Sequence, residues 1–166
     1  MNDMEKSEEY ELFAIYGMSI EYPSGWSIEA GPLKRDQGSV SFRSKGEECS
    51  CALTWTPLKE IQKRFRDPWE QARKALDNLK SRGRVEDLEV LEDRSVLVNG
   101  HEAALMRLKA TLRTGIFSRG RLRSQIQALY LHCDETQRCF VLFSFGPQED
   151  KYADIFNHMT YSMKCH

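Results

Sequence analysis

Hydrophobic and polar residues alternate along most of this chain, and the pattern changes to a helical period in two clear places. Met18, Ile20 and Tyr22 fall on one side and Ser19 and Glu21 on the other, as in a half-buried strand. Pro23 lacks a ladder donor and ends that strand. Ser24 and Gly25 supply turn chemistry, and Trp26 and Ile28 resume the alternation with Ser27 and Glu29 outward. The stretch YPSGW thus predicts a hairpin-like corner: Pro23 stops the strand, Gly25 turns the chain, and Trp26 points inward as a core anchor. Val40 and Phe42 predict a further strand, and Cys49, Cys51, Leu53 and Trp55, alternating with Ser50, Ala52 and Thr54, predict another.

The first helical period follows Asp67-Pro68, an N-cap aspartate with proline at the first helical position. Trp69, Ala72, Leu76 and Leu79 form its apolar stripe, and Gly83 is expected to close it. Strands then resume over Val85 to Leu91, Val96 to Val98, Ala104 to Leu112, Leu122 to Cys133 and Arg138 to Phe145. Asn99-Gly100 marks a tight hairpin between the second and third of these. Around Leu129 to Leu131 and from Cys139 to Phe145 both faces are apolar, which predicts central strands with the sheet covered on both sides. The second helix supplies cover: Pro147 opens it, Glu149 and Asp150 suit its positive end, and Tyr152, Ile155, Phe156 and Met159 face inward. The predicted class is α+β, an antiparallel β-sheet sandwiched between helices (α/β/α). Residues 1–10 read as a flexible acidic arm, and residues 11–166 as a single domain.

Composition narrows the function classes. With 166 residues, 40% hydrophobic and 30% charged, the chain suits one globular core. A formal net charge of −1 provides no long-range field to gather nucleic acid or anionic membrane, so we expect no nucleic-acid partner. The polar, acidic start MNDMEKSEEYE is unlike a secretory signal, no window is long and apolar enough for a membrane span, and five cysteines are an odd number. We therefore expect a cytoplasmic protein with reduced thiols.

The order of elements carries a resemblance. FAIYGMSIEYPSGWSI, VLVNGHEAALM and the closing IFNHMTYSM together resemble the PsbP-like superfamily, over a span from about Leu12 to the end. That superfamily includes extrinsic photosystem II proteins, Mog-type Ran-binding proteins and DcrB-like proteins of unknown function. The resemblance implies an α/β/α sandwich that acts by binding other proteins, is not usually enzymatic, and has no universal active-site signature to carry over.

Among the residues themselves, the densest positive segment is RLKATLRTGIFSRGRLR. Alternation puts Arg107, Lys109 and Arg113 on one strand face and Arg121 and Arg123 on a facing strand, with Arg119 and the apolar Phe117 near the tip. Such a cationic ribbon can dock on an acidic protein, a phosphate-bearing ligand or a membrane surface. Equally, it is a solvated hairpin neutralised by the acidic arm or by Glu86, Asp87 and Glu89.

The thiols read first as core residues. Cys49 and Cys51 share a strand face ~6.5–7 Å apart, and Leu53 and Trp55 share it with them. Cys133 and Cys139 are conceivable across the DETQR turn as a disulfide or, with His132, as metal ligands, though no spacing matches a C-x-x-C site. Cys165 and His166 follow at the chain end, His101 reads as a turn residue, and His158 has no partner at ligand spacing. We expect no metal and no cofactor.

No Gly-rich phosphate loop, H-E-x-x-H or G-x-S-x-G occurs, and His101-Glu102 and His132-Cys133 point to opposite faces as strand neighbours. The sequence supports a non-enzymatic protein-interaction module with an unidentified protein partner. The alternative is a small-molecule or metal-binding protein, or an enzyme, using a pocket between sheet and helix where cysteines and aromatics gather.

Overall fold

A computed structural model describes residues 7–46, 48–115 and 120–166. In chain order the elements are β1 (Tyr10–Ile15), β2 (Met18–Pro23), β3 (Ser27–Leu33), β4 (Gly38–Arg43), β5 (Ser50–Pro57), α1 (Leu58–Gln62), α2 (Pro68–Lys80), β6 (Val85–Val98), β7 (His101–Thr114), β8 (Gly120–Cys133), β9 (Arg138–Pro147) and α3 (Asp150–Ser162). Seven of the strands form one antiparallel sheet in the order β3-β4-β5-β9-β8-β7-β6, while β1 and β2 pair separately. The strands with two apolar faces, β8 and β9, lie in the middle, as their patterning predicts.

One face of the sheet carries the larger core. Val40, Phe42, Leu53, Trp55, Leu105, Leu129, Phe140 and Leu142 meet Met18, Ile20 and Tyr22 of β2 and Ile155, Phe156 and Met159 of α3. On the opposite face Met106, Leu108, Ile126, Ala128 and Tyr130 pack against Ala72, with Trp69, Leu76 and Leu79 of α2 alongside. A complete sandwich between helices is not formed. The β1–β2 hairpin shares the first face with α3, and α2 lies over β6 to β8 and reaches β9 at Cys139, leaving β4 and β5 outside its cover. The reason is visible in β4 and β5, whose residues on the α2 side are Ser39, Ser41, Arg43, Ser50, Ala52, Thr54 and Thr56, all partly solvated and needing no cover.

Several local expectations hold. The Asp67 carboxylate accepts a hydrogen bond from the Glu70 backbone N–H at 2.8 Å and caps α2 with Pro68 in the first turn. Asn99 and Gly100, both at positive φ, form the two-residue turn between β6 and β7. Others need correction. The two predicted strands over Val85 to Val98 are one strand with two register shifts. Helix α2 ends at Lys80 with Ser81 as C-cap, so Gly83 does not close it, and Pro147 ends β9 two residues before the Glu149 N-cap of α3.

The YPSGW corner also differs. Its flanking strands are not partners: β2 pairs with β1 through the Tyr16-Gly17 turn, and β3 joins the large sheet beside β4. The corner crosses between layers. Gly25 has φ +85 and the Trp26 N–H donates to the Pro23 carbonyl at 3.2 Å, so the turn chemistry stands. Trp26 is only half-buried, and Ile28 is 42% exposed on the edge strand. The anchor is Trp55, wholly buried, whose indole N–H donates to the Lys34 carbonyl at 2.8 Å. Gly38 lies against it, and a methyl group there would collide with the ring and with the Pro32 carbonyl.

Arg138 is the other buried fixture. Its guanidinium donates to the carbonyls of Arg35 (3.2 Å), Tyr16 (3.0 Å) and Cys165 (3.2 Å) and lies over the Phe140 ring. The last residues return along β2, where Ser19 and Lys164 exchange backbone hydrogen bonds of 2.9 and 2.8 Å. Truncating the two tryptophans should separate their roles in urea unfolding. Trp55→Ala is expected to cost about 3–5 kcal/mol, the range for a large buried aromatic, and Trp26→Ala about half of that or less.

Candidate functional site

The basic ribbon is positioned by the β7–β8 register, which pairs Lys109 with Gln125, Thr111 with Arg123 and Arg113 with Arg121. Cross-strand partners share a face, so Arg107, Lys109, Arg113, Arg121 and Arg123 do lie on one face, the α3 side, with Arg113, Arg121 and Arg123 beyond the start of that helix. Gln125 marks the boundary: its amide donates to the carbonyls of Pro147 (2.7 Å) and Glu149 (2.8 Å) and fixes the entry to α3. Phe117 and Arg119, the tip residues of the expected site, lie outside the described residues.

The neighbouring strand β6 is acidic and neutralises part of the ribbon. Glu86 accepts from Arg113 Nε at 2.7 Å and from Arg121 Nε at 2.8 Å, and these two hydrogen bonds, Arg121 first, hold its carboxyl below the ordinary carboxylate range. Arg107 pairs with Glu92 at 3.2 Å. Lys109 and Arg123 are exposed and make no ion pair among the described residues. They border a shallow cleft with Asp87, Glu89 and Gln148.

All five cysteines are buried and unpaired. Burial pushes the Cys49 thiol up, Cys51 to about 12 and Cys139 to about 11, so these sulfurs stay protonated at neutral pH. The expected trio of His132, Cys133 and Cys139 is not brought together. Register pairs His132 with Cys139 and Cys133 with Arg138, so Cys133 projects from the opposite face. His132 Nε2–H donates to Gln71 Oε1 at 2.8 Å and the Cys139 thiol donates to the same oxygen at 3.5 Å, both under α2. Burial lowers the His132 pKa, which favours the neutral ring.

Cys133 has other company. At the end of the sheet where β7 starts and β8 finishes, His101, Cys133, Cys165 and His166 each present one ligand-type atom, and the four atoms lie within 4.8 Å of one another. His101 Nε2 and His166 Nδ1 are 3.4 Å apart, and Cys133 Sγ is 3.8 Å from the first and 3.9 Å from the second. Cys165 Sγ is 3.3 Å from His166 Nδ1. The other ring nitrogen of His166 lies 2.8 Å from Glu135 Oε2. Sequence reasoning named these residues without joining them. The available signal was register: carrying the β7–β8 pairing three residues past Ala104–Tyr130 sets His101 opposite Cys133.

A groove of about 380 Å³ opens between α2 and the sheet, lined by Leu76, Leu79, Met106, Ile126, Tyr130 and Phe143 among others. No cysteine lines it, so the expected gathering of thiols and aromatics between sheet and helix is not found there.

No protein-family model matches the chain, and no curated protein matches it. Solved structures do match in shape. The solution structure of cyanobacterial PsbP (CyanoP) from Synechocystis aligns with a TM-score of 0.63 and 9% identity, over 100% of this chain and 97% of that one. The Ran-binding protein Mog1p of Saccharomyces cerevisiae aligns with a TM-score of 0.61 and 9% identity, over 95% and 96%. The fold is PsbP-like, as the order of motifs implies. No helix among the described residues is long and apolar enough to cross a membrane.

Glu86 offers a direct check of the charge arrangement. Its pKa in the folded state is depressed below the usual 4.5, so its contribution to stability is present above that value and lost as pH falls through the lower folded one. Glu86→Gln should remove this part of the acid sensitivity in pH-dependent melting. It should also lengthen retention on a cation exchanger at neutral pH by releasing Arg113 and Arg121.

Proposed function

We propose, on the premise of the PsbP-like fold, that this chain is a non-enzymatic protein-interaction module that docks a carboxylate-bearing surface of a partner protein on the β7–β8 ribbon. The observation that carries the reading is the side-by-side placement of Lys109 and Arg123, exposed and without an ion pair among the described residues, beside arginines already held by Glu86 and Glu92. A charge without an internal partner on a rigid strand is preorganised for an external one, and the acidic flank of β6 restricts which partners fit. Likeness in fold to a Ran-binding protein supports protein binding as the mode of action. The five free thiols suit a reducing compartment such as the cytoplasm.

A second reading follows from the groove under α2. Its largely apolar lining, with Tyr130, Asn78 and Arg82 as its polar groups, suits a small, mainly apolar ligand. Native mass spectrometry of the protein from its source cells distinguishes this reading by the mass of a co-purifying small molecule.

For the leading reading, the double variant Lys109→Glu/Arg123→Glu is compared with the native chain in affinity capture from source lysate at low and high salt. The variant should keep its melting temperature, since neither side chain is buried, and lose the salt-sensitive partner by at least ten-fold. An unchanged set of captured proteins refutes the assignment of the ribbon.

A further inference from the structure

We propose that His101, Cys133, Cys165 and His166 form a closed tetrahedral site for a zinc ion, which fastens the C-terminal tail to the end of the sheet. The argument begins with geometry. For an ion held by two sulfurs at about 2.3 Å and two nitrogens at about 2.0–2.1 Å, tetrahedral angles require neighbouring ligand atoms about 3.4 Å apart for nitrogen with nitrogen and about 3.5 Å for sulfur with nitrogen. The His101–His166 separation is 3.4 Å, three of the four sulfur–nitrogen separations are 3.8, 3.9 and 3.3 Å, and the remaining pairs lie within 4.8 Å. Hydrogen bonds alone do not account for this packing. His166 donates its Nε2 proton to Glu135, which leaves Nδ1 of the neutral ring a single lone pair faced by the His101 ring nitrogen, two thiols and the Asn99 amide at 3.4 Å, more donors than one acceptor takes.

The chemistry of the donors selects the ion. Two cysteines and two histidines are the soft and borderline ligands of a structural zinc centre, and two thiolates neutralise the divalent charge. On binding, each thiol releases its proton to solvent as its sulfur takes up the metal bond, with no change in oxidation state. All four positions are filled by protein, so no coordination site is left for substrate, which makes the role structural.

Outer groups are also in place. The Glu135 carboxylate on the far nitrogen of His166 forms a carboxylate–histidine–metal relay that orients the ring. Asn99 directs its amide to Cys165 Sγ at 3.4 Å, the contact a thiolate accepts. Arg138 holds the Cys165 carbonyl at 3.2 Å, so the tail is placed from behind as well.

The site is independent of the ribbon and of the docking proposed there. It is tested on the tag-free, reduced 166-residue chain by titration with Co²⁺ and then with Zn²⁺. Expected are one equivalent of Co²⁺ with the intense visible bands of a tetrahedral ion and a thiolate charge-transfer band, displacement by one equivalent of Zn²⁺, and a Zn²⁺-dependent rise in melting temperature. His166→Ala, which removes an exposed terminal side chain and spares the core, should abolish the stoichiometric binding. Cys133→Ser should abolish the charge-transfer band or reduce it by about half or more. Glu135→Gln should weaken Zn²⁺ about 10–100-fold, the usual loss for an outer carboxylate. Cys139→Ser and His132→Gln should leave binding unchanged. The proposal is overturned by the absence of stoichiometric binding at micromolar metal, by full binding in His166→Ala, or by a Cys133–Cys165 disulfide in the protein as purified.

Discussion

The buried guanidinium of Arg138 is the constraint on which this architecture turns. It sits at the start of the central strand β9 with 2% exposure, and it binds carbonyls of three otherwise separate segments: the β1–β2 turn at Tyr16, the β3–β4 connection at Arg35, and the tail at Cys165. A charge placed so deep needs its donors occupied; Nη1 and Nη2 both donate, Nε has no partner among the described residues, and each partner is a backbone carbonyl that would itself be costly to leave unpaired. Desolvation lowers the Arg138 pKa from its ordinary value, but a guanidinium remains charged. One side chain thereby fixes where the small hairpin, the sheet edge and the chain end meet, and the proposed metal site lies at that junction.

How much of this is legible in the sequence depends on the range of the interaction. Alternation within a strand and the stripe of a helix are local, so β2, β4, β5, β7, β8, β9, α2 and α3 follow from the residues that line them. Layering is not local. Trp26 alternates correctly with Ile28, yet the first is half-buried and the second exposed, because the corner carries the chain from one sheet to the other. The same limit explains the enclosure. Apolar residues on both faces of β8 and β9 report cover at those strands alone, while Ser39, Ser41, Thr54 and Thr56 show that it stops before the sheet edge.

The candidate sites divide in the same way. The shared face of Lys109, Arg113, Arg121 and Arg123 follows from period two and a short loop, and the neutralising role of Glu86 is among the readings the sequence supports. The cluster at the end of the sheet is different. Cys133 and Cys139 are near in sequence and project from opposite faces, whereas His101 and His166 meet Cys133 only because a hairpin register and a returning tail converge. Spacing motifs capture ligands carried on one loop. They are blind to ligands assembled by three distant segments.

Both margins of the large sheet are poor templates for another strand. The outer strand β6 runs from Val85 to Val98 with two register shifts and with Glu86, Asp87, Glu89, Glu92 and Asp93 along it, and β3 at the other margin contains Pro32 and a bulge between Ala30 and Leu33. Charge, kinking and a missing donor each disfavour the addition of an extended peptide. At these two margins, side chains and not the main chain are what the large sheet offers to a neighbour. A fold rich in long strands thus presents few unpaired ladder groups at either margin of its large sheet.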